Sequence, residues 1–124
     1  MYTPEDIEIQ LDGILPYIQK PGRYTGGELN QVLKAWQSVG THVALVFPDI
    51  YDIGMSNLGL AILNDLINQR SDALAERAFS PWSDMEDAMR QAGVPLYSLE
   101  SKHALADFDI VGFSVSRAGH RLAA

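Results

Sequence analysis

Between Asp49 and Asn57 the sequence reads "DIYDIGMSN", which places two carboxylates, a phenol, a glycine, a hydroxyl and an amide within one short stretch. Asp49, Tyr51 and Asp52 offer acid and hydrogen-bonding chemistry. Gly54 would let backbone come close to a ligand. Ser56 and Asn57 stand where a helix would begin, where unpaired amides can hold an anion. The same residue types also make ordinary strand-to-helix turns, and two aspartates repel a phosphate. A ligand-facing loop and a turn with a helix cap therefore both stand on the residues alone. Neither G-x-G-x-x-G nor G-x-x-x-x-G-K-[ST] occurs. A hydroxyl-rich flavin loop needs more than Ser56. A receiver-type acidic pocket around Asp49 and Asp52 needs a further aspartate, where the chain offers Glu100, and a lysine after the last strand, where it has none.

Two other stretches carry polar or aromatic groups at strand ends. "AFSPWSDME" supplies Ser80 and Trp82, and "FDIVGFS" closes on Ser114. Parallel strands would bring all three to the rim that holds residues 49–57. The set contains no catalytic triad and no paired acid and base. The plainer role for Trp82 is to staple the next helix to the sheet.

Composition narrows the chemistry further. The chain has no cysteine, so thiolate nucleophiles, disulfides, Cys-based zinc sites and Cys-ligated iron–sulfur clusters are excluded within it. Its three histidines, His42, His103 and His120, form no helical H-x-x-x-H pair and read as solvated imidazoles. Sixteen acidic against nine basic residues give a net charge of −7, which argues against nucleic acid and anionic membranes as partners. No apolar run reaches the roughly 20 residues of a membrane span. "MYTPEDIEIQ" has neither the basic nor the apolar part of a signal peptide, so a cytoplasmic location is expected. At 124 residues, 47% of them hydrophobic, the chain has room for one domain or part of one.

The elements that must position these residues follow from periodicity. "PEDIEIQLDGILPYIQ" spaces Ile7, Leu11, Ile14 and Leu15 at helical intervals. Pro21, Gly22, Gly26 and Gly27 break the chain around Arg23 and Tyr24, and a short helix is expected from Glu28 to Trp36. "HVALVFP" (42–48) reads as a strand buried on both faces. A helix over 57–69, capped by Ser56, would bury Leu58, Leu60, Ile62, Leu63, Leu66 and Ile67 and turn Asn57, Asn64, Asp65, Asn68 and Gln69 outward. "ALAERAFS" (73–80) is a second strand. "SDME" (83–86) reads as a capping box opening a helix that stops at Gly93. "VPLYSLE" (94–100) is a third short strand, "KHALA" one helical turn, and "FDIVGFSVS" (108–116) the last strand. Strand alternating with helix predicts an α/β domain with a parallel, doubly wound sheet.

Taken in series, "KPGRYTGGELN", "VALVFPDIYDIGMSNLGLAILNDLIN", "ALAERAFSPWSDMEDAMRQAGVPLYSLES" and "DFDIVGFS" resemble the N-terminal region of a family of bacterial radical S-adenosylmethionine proteins. The resemblance covers roughly residues 20–114. It implies a three-layer flavodoxin-like or cobalamin-binding-like domain over 41–116, preceded by an arm with short helices over 1–40. It also implies a radical SAM barrel as partner, whose C-x-x-x-C-x-x-C motif would hold a 4Fe–4S cluster and S-adenosylmethionine. Those cofactors are expected only in that further domain, and no catalysis is expected of this cysteine-free chain by itself. By their place at the carboxyl ends of parallel strands, Asp49, Tyr51, Asp52, Gly54, Ser56, Asn57, Ser80, Trp82 and Ser114 would face a cofactor or substrate. Cobalamin is one candidate, although the corrinoid fingerprint D-x-H-x-x-G is replaced by "DIYDIG", with Tyr51 at the histidine position. A protein-interaction scaffold with no small-molecule ligand is the alternative. Arg23, Tyr24 and Glu28 would form either a clamp to the barrel or an internal packing arm with an Arg–Glu pair.

Residues 117–124, "RAGHRLAA" from Arg117, do not look like the expected continuation, so the domain reads as incomplete at its C-terminus. An apolar last strand with little after it to cover it predicts self-association, most simply a homodimer across Ile110 to Val115.

Overall fold

The computed structural model describes residues 2–27 and 33–114. Helix α1 (Pro4–Ile14) opens with Pro4 at its first position and a reciprocal cap: the Thr3 hydroxyl accepts from the Asp6 amide and the Asp6 carboxylate from the Thr3 amide. Its Ile7 and Leu11 are buried against Met85 and Met89 of α4 (Ser83–Ala92), with Tyr24, Val94 and Tyr97 completing that cluster. The helical spacing of Ile7 and Leu11 thus marks a true core face.

Strands β1 (Thr41–Phe47), β2 (Ala73–Phe79) and β3 (Ile110–Phe113) form one sheet in the order β2-β1-β3, with both pairings parallel. The central strand β1 has its apolar run Val43–Phe47 buried throughout, as a strand covered on both faces demands. Val43, Leu45 and Phe47 face one side with Leu60, Ala75, Phe79 and Leu99, while Ala44, Leu74 and Phe108 face the other with Trp36, Val39 and Leu105. Helices flank this open parallel sheet, and the architecture is the three-layer flavodoxin-like or Rossmann-like α/β arrangement. Among the described residues no helix is long and apolar enough to cross a membrane.

Several expectations are corrected. Residues 94–100 form no strand; one antiparallel bridge joins Tyr97 to Ala104. The segment instead seals the outer edge of β2, where Leu99 donates its amide to the Arg77 carbonyl (2.7 Å). The Glu100 carboxylate stands in for a strand carbonyl by accepting from the Arg77 amide (2.8 Å) and guanidinium (2.7 Å). The expected helix over 28–36 falls largely on residues 28–32, outside the described residues; 33–35 are irregular and Trp36–Ser38 is a 3₁₀ turn. Ser83 is not a cap, because α4 begins on the extended backbone of Trp82, and Glu86 turns instead to Arg90 one turn on (2.7 Å). Gly93 ends α4 in the left-handed region (φ 72°), as expected of a glycine at that place.

Helix α3 (Leu58–Asn68) meets only part of its expected orientation: Leu60 and Ile67 face the core and Asp65 and Gln69 face outward as expected. Leu60 is buried, but Leu58, Ile62, Leu63 and Leu66 are exposed. Asn68 serves the fold instead: its side chain donates to the Ala75 carbonyl (3.1 Å) and accepts from its amide (2.9 Å). Those backbone groups lie on the side of β2 turned away from β1 and need partners. An amide on the helix satisfies both, and this fixes which side of α3 faces the sheet.

Candidate functional site

Strand β1 leads into β2 on one side of itself, while β3 lies on its other side, so the winding direction reverses at β1. In such sheets the crevice beyond the carboxyl ends of the strands at that reversal is where ligands bind. The ends of β1, β2 and β3 bring residues 49–57, Ser80–Trp82 and Ser114 to this rim.

The 49–57 stretch is not an open loop. Residues Tyr51–Gly54 form a single helical turn, α2, which joins the strand to α3. The Asp49 carboxylate accepts from the Ile50 amide (2.7 Å), and its carbonyl accepts from the Ser80 amide (2.8 Å), which ties the ends of β1 and β2 together. Tyr51 stands edge-on to Phe79 with ring centres 5.3 Å apart. Gly54 is buried because the Phe79 and Phe47 rings occupy the space a side chain would need. Its use is therefore close packing, not approach of a ligand. Ser56 donates to the Ile53 carbonyl (3.3 Å) at the end of α2, so the cap of α3 falls to Asn57, whose side chain accepts from the Leu60 amide (2.9 Å). Ser114 extends β3 by one bond, its amide donating to the Val46 carbonyl (2.9 Å).

Asp52 is the charged centre of the rim. It accepts from Arg23 Nε (3.0 Å) and Nη2 (3.3 Å) and from Lys20 Nζ (3.4 Å). The Arg23 hydrogen bonds hold its carboxyl below the ordinary aspartate range. Arg23 in turn lies 5.7 Å from the Trp82 ring. The tryptophan is half exposed; its backbone amide donates to the Tyr24 hydroxyl (3.1 Å) and its carbonyl accepts from the Glu86 amide in the first turn of α4 (2.9 Å). Tyr24 is buried in the α1–α4 cluster. Of the two readings of the arm, Tyr24 fits internal packing, and the partner of Arg23 is Asp52; Glu28 lies outside the described residues. Between Arg23, Tyr51, Ser80 and Leu96 lies a cavity of about 20 Å³, room for roughly one water.

These residues do not fit a corrinoid held in the D-x-H-x-x-G manner. The histidine position is Tyr51, packed on Phe79, the first aspartate is spent on its neighbour's amide, and the space beside the glycine is filled by two phenylalanines. Among the described residues no group of three or more His, Asp or Glu side chains could hold a metal ion.

A second polar cluster escaped the sequence reading. Glu76, 1% exposed in the middle of β2, accepts through Oε1 from the hydroxyls of Ser98 (2.6 Å) and Ser101 (2.5 Å) and from the Ser101 amide (3.2 Å). The Ser101 hydroxyl also meets His103 Nδ1 (2.6 Å). The rings of His103 and His42 stack on Trp36 at 3.6 and 4.0 Å, so neither imidazole is simply solvated, and burial pushes the His103 pKa down. The signal was available: a glutamate inside "ALAERAFS" sits in a strand too apolar to leave it outside.

The fold and rim define an open α/β domain whose carboxyl edge is closed by its own side chains. Residues 59–118, spanning most of α3 through β3, match the family described as radical SAM proteins, N-terminal, and this supports a radical SAM N-terminal domain. No curated protein and no solved structure matches the chain.

Proposed function

We propose that the chain is an accessory N-terminal domain of a radical SAM protein, a platform that positions other parts of that protein and performs no chemistry by itself. The match over residues 59–118 carries this reading. Two features of the geometry support it. The carboxyl rim is held by internal contacts, Asp49 to Ser80 and Asp52 to Arg23, which suits a stiff support better than a ligand pocket. Ile110, Val111 and Phe113 of β3 are exposed on both faces of the sheet. A radical SAM barrel, or the segment leading to it, would cover them. Cobalamin on this edge is the narrower form of the proposal, and it would lie there without a protein side chain as lower ligand.

Anaerobic incubation of the chain with iron, sulfide and dithiothreitol tests the reading. The expected result is no stable absorption near 400 nm after desalting, because no thiolate exists to hold a cluster. A stoichiometric cluster retained by the chain would overturn it.

A further inference from the structure

We infer that the outer side of α2 and α3 is a homodimer interface in which α3 packs against its two-fold mate. Ile53, Met55, Leu58, Ile62, Leu63 and Leu66 are each between 48% and 73% exposed. Leu58, Ile62 and Leu66 recur every four residues and make a single ridge along α3. The opposite side of the helix is already fixed to the sheet by Leu60 and Asn68, so the fold has no means of turning this ridge inward. From Ile53 to Leu66 the only charged residue is Asp65. An apolar core without charge is the composition of a lasting interface.

Area and symmetry point to a second copy as the occupant. Six such side chains expose several hundred Å² per chain, at or above the largest patch of an ordinary monomer and approaching the roughly 800 Å² per partner of a stable complex. A ridge of i±4 residues is self-complementary: two of them interdigitate at about −50° across a two-fold axis. The uncharged ridge also lets two chains of net charge −7 meet where their repulsion is least. The inference is independent of the radical SAM reading. The ridge lies on the helix that seals the outer edge of β2, away from β3 at the other edge of the sheet.

The absence of cysteine makes the test clean. Light scattering over a dilution series should give twice the chain mass, and Ile62→Glu should weaken association at least 100-fold with an unchanged circular dichroism spectrum. Under mild oxidation Ile62→Cys should give a disulfide-linked dimer and Phe113→Cys should not, a comparison that holds even where Ile62→Glu fails to fold. A folded wild-type monomer at every concentration, a folded Ile62→Glu variant that remains dimeric, or cross-linking through Phe113→Cys in place of Ile62→Cys would overturn the inference.

Discussion

Gly54→Ala should cost about 2–3 kcal/mol of stability, a large share of what a small domain has. A Cβ at this position would stand 2.5 Å from the Phe79 ring and 2.9 Å from the Phe47 ring. Both rings are buried and packed with Leu45, Leu60, Ala75 and Leu99, so neither can swing aside without opening the core. The backbone at the end of α2 must move instead, and it carries the turn that connects β1 to α3. Gly13→Ala is the matched control. It lies within α1 with nothing within 4 Å of its added methyl, and should gain roughly 0.5–1 kcal/mol from helix propensity. Urea denaturation of both variants separates the two effects. Equal midpoints would show that Gly54 is not the packing glycine described above.

Glu76→Ala should cost about 3 kcal/mol or more, whereas Glu76→Gln should stay within about 1 kcal/mol of wild type. The alanine removes the acceptor of two hydroxyls and one amide and leaves a cavity beside them. Buried donors stripped of partners incur their full desolvation cost. Glutamine keeps the accepting oxygen. The amide nitrogen it introduces takes the place of Oε2, which has no hydrogen-bond partner among the described residues. Thermal unfolding monitored by Trp36 and Trp82 fluorescence measures both. A glutamine variant as damaged as the alanine one would contradict the role given to the accepting oxygen in holding the Ser98–Ser101 segment to β2.

Much of the frame was legible in the sequence. "HVALVFP" and "ALAERAFS" could be little else than buried strands, Ile7 and Leu11 marked the inner face of α1, and Gly93 stopped α4. What escaped were interactions between segments far apart in the chain. The apolar ridge of α3 looked like its buried face because a helix read alone cannot show that β2 offers an unpaired edge, which Asn68 answers better than leucine. Residues 94–100 had the composition of a strand, yet a glutamate side chain took over the ladder at Arg77. The candidate residues follow the carboxyl ends of β1, β2 and β3, with Gly54 packed into the core beneath them. Their engagement, Asp52 by Arg23 and Lys20 and Gly54 by two rings, depends on tertiary contacts that spacing does not encode. The Glu76 network also escaped, although a charged residue within an apolar strand was a signal present in the sequence.

The most direct measurement of the proposed role is iron analysis and mass spectrometry of the protein isolated anaerobically from its own cells, captured by an antibody against residues 2–27. An accessory domain of a radical SAM protein predicts that these residues travel, in one polypeptide or in a stable complex, with a C-x-x-x-C-x-x-C sequence and about four irons per copy. Recovery of the cysteine-free chain alone, without iron or such a partner, would contradict it.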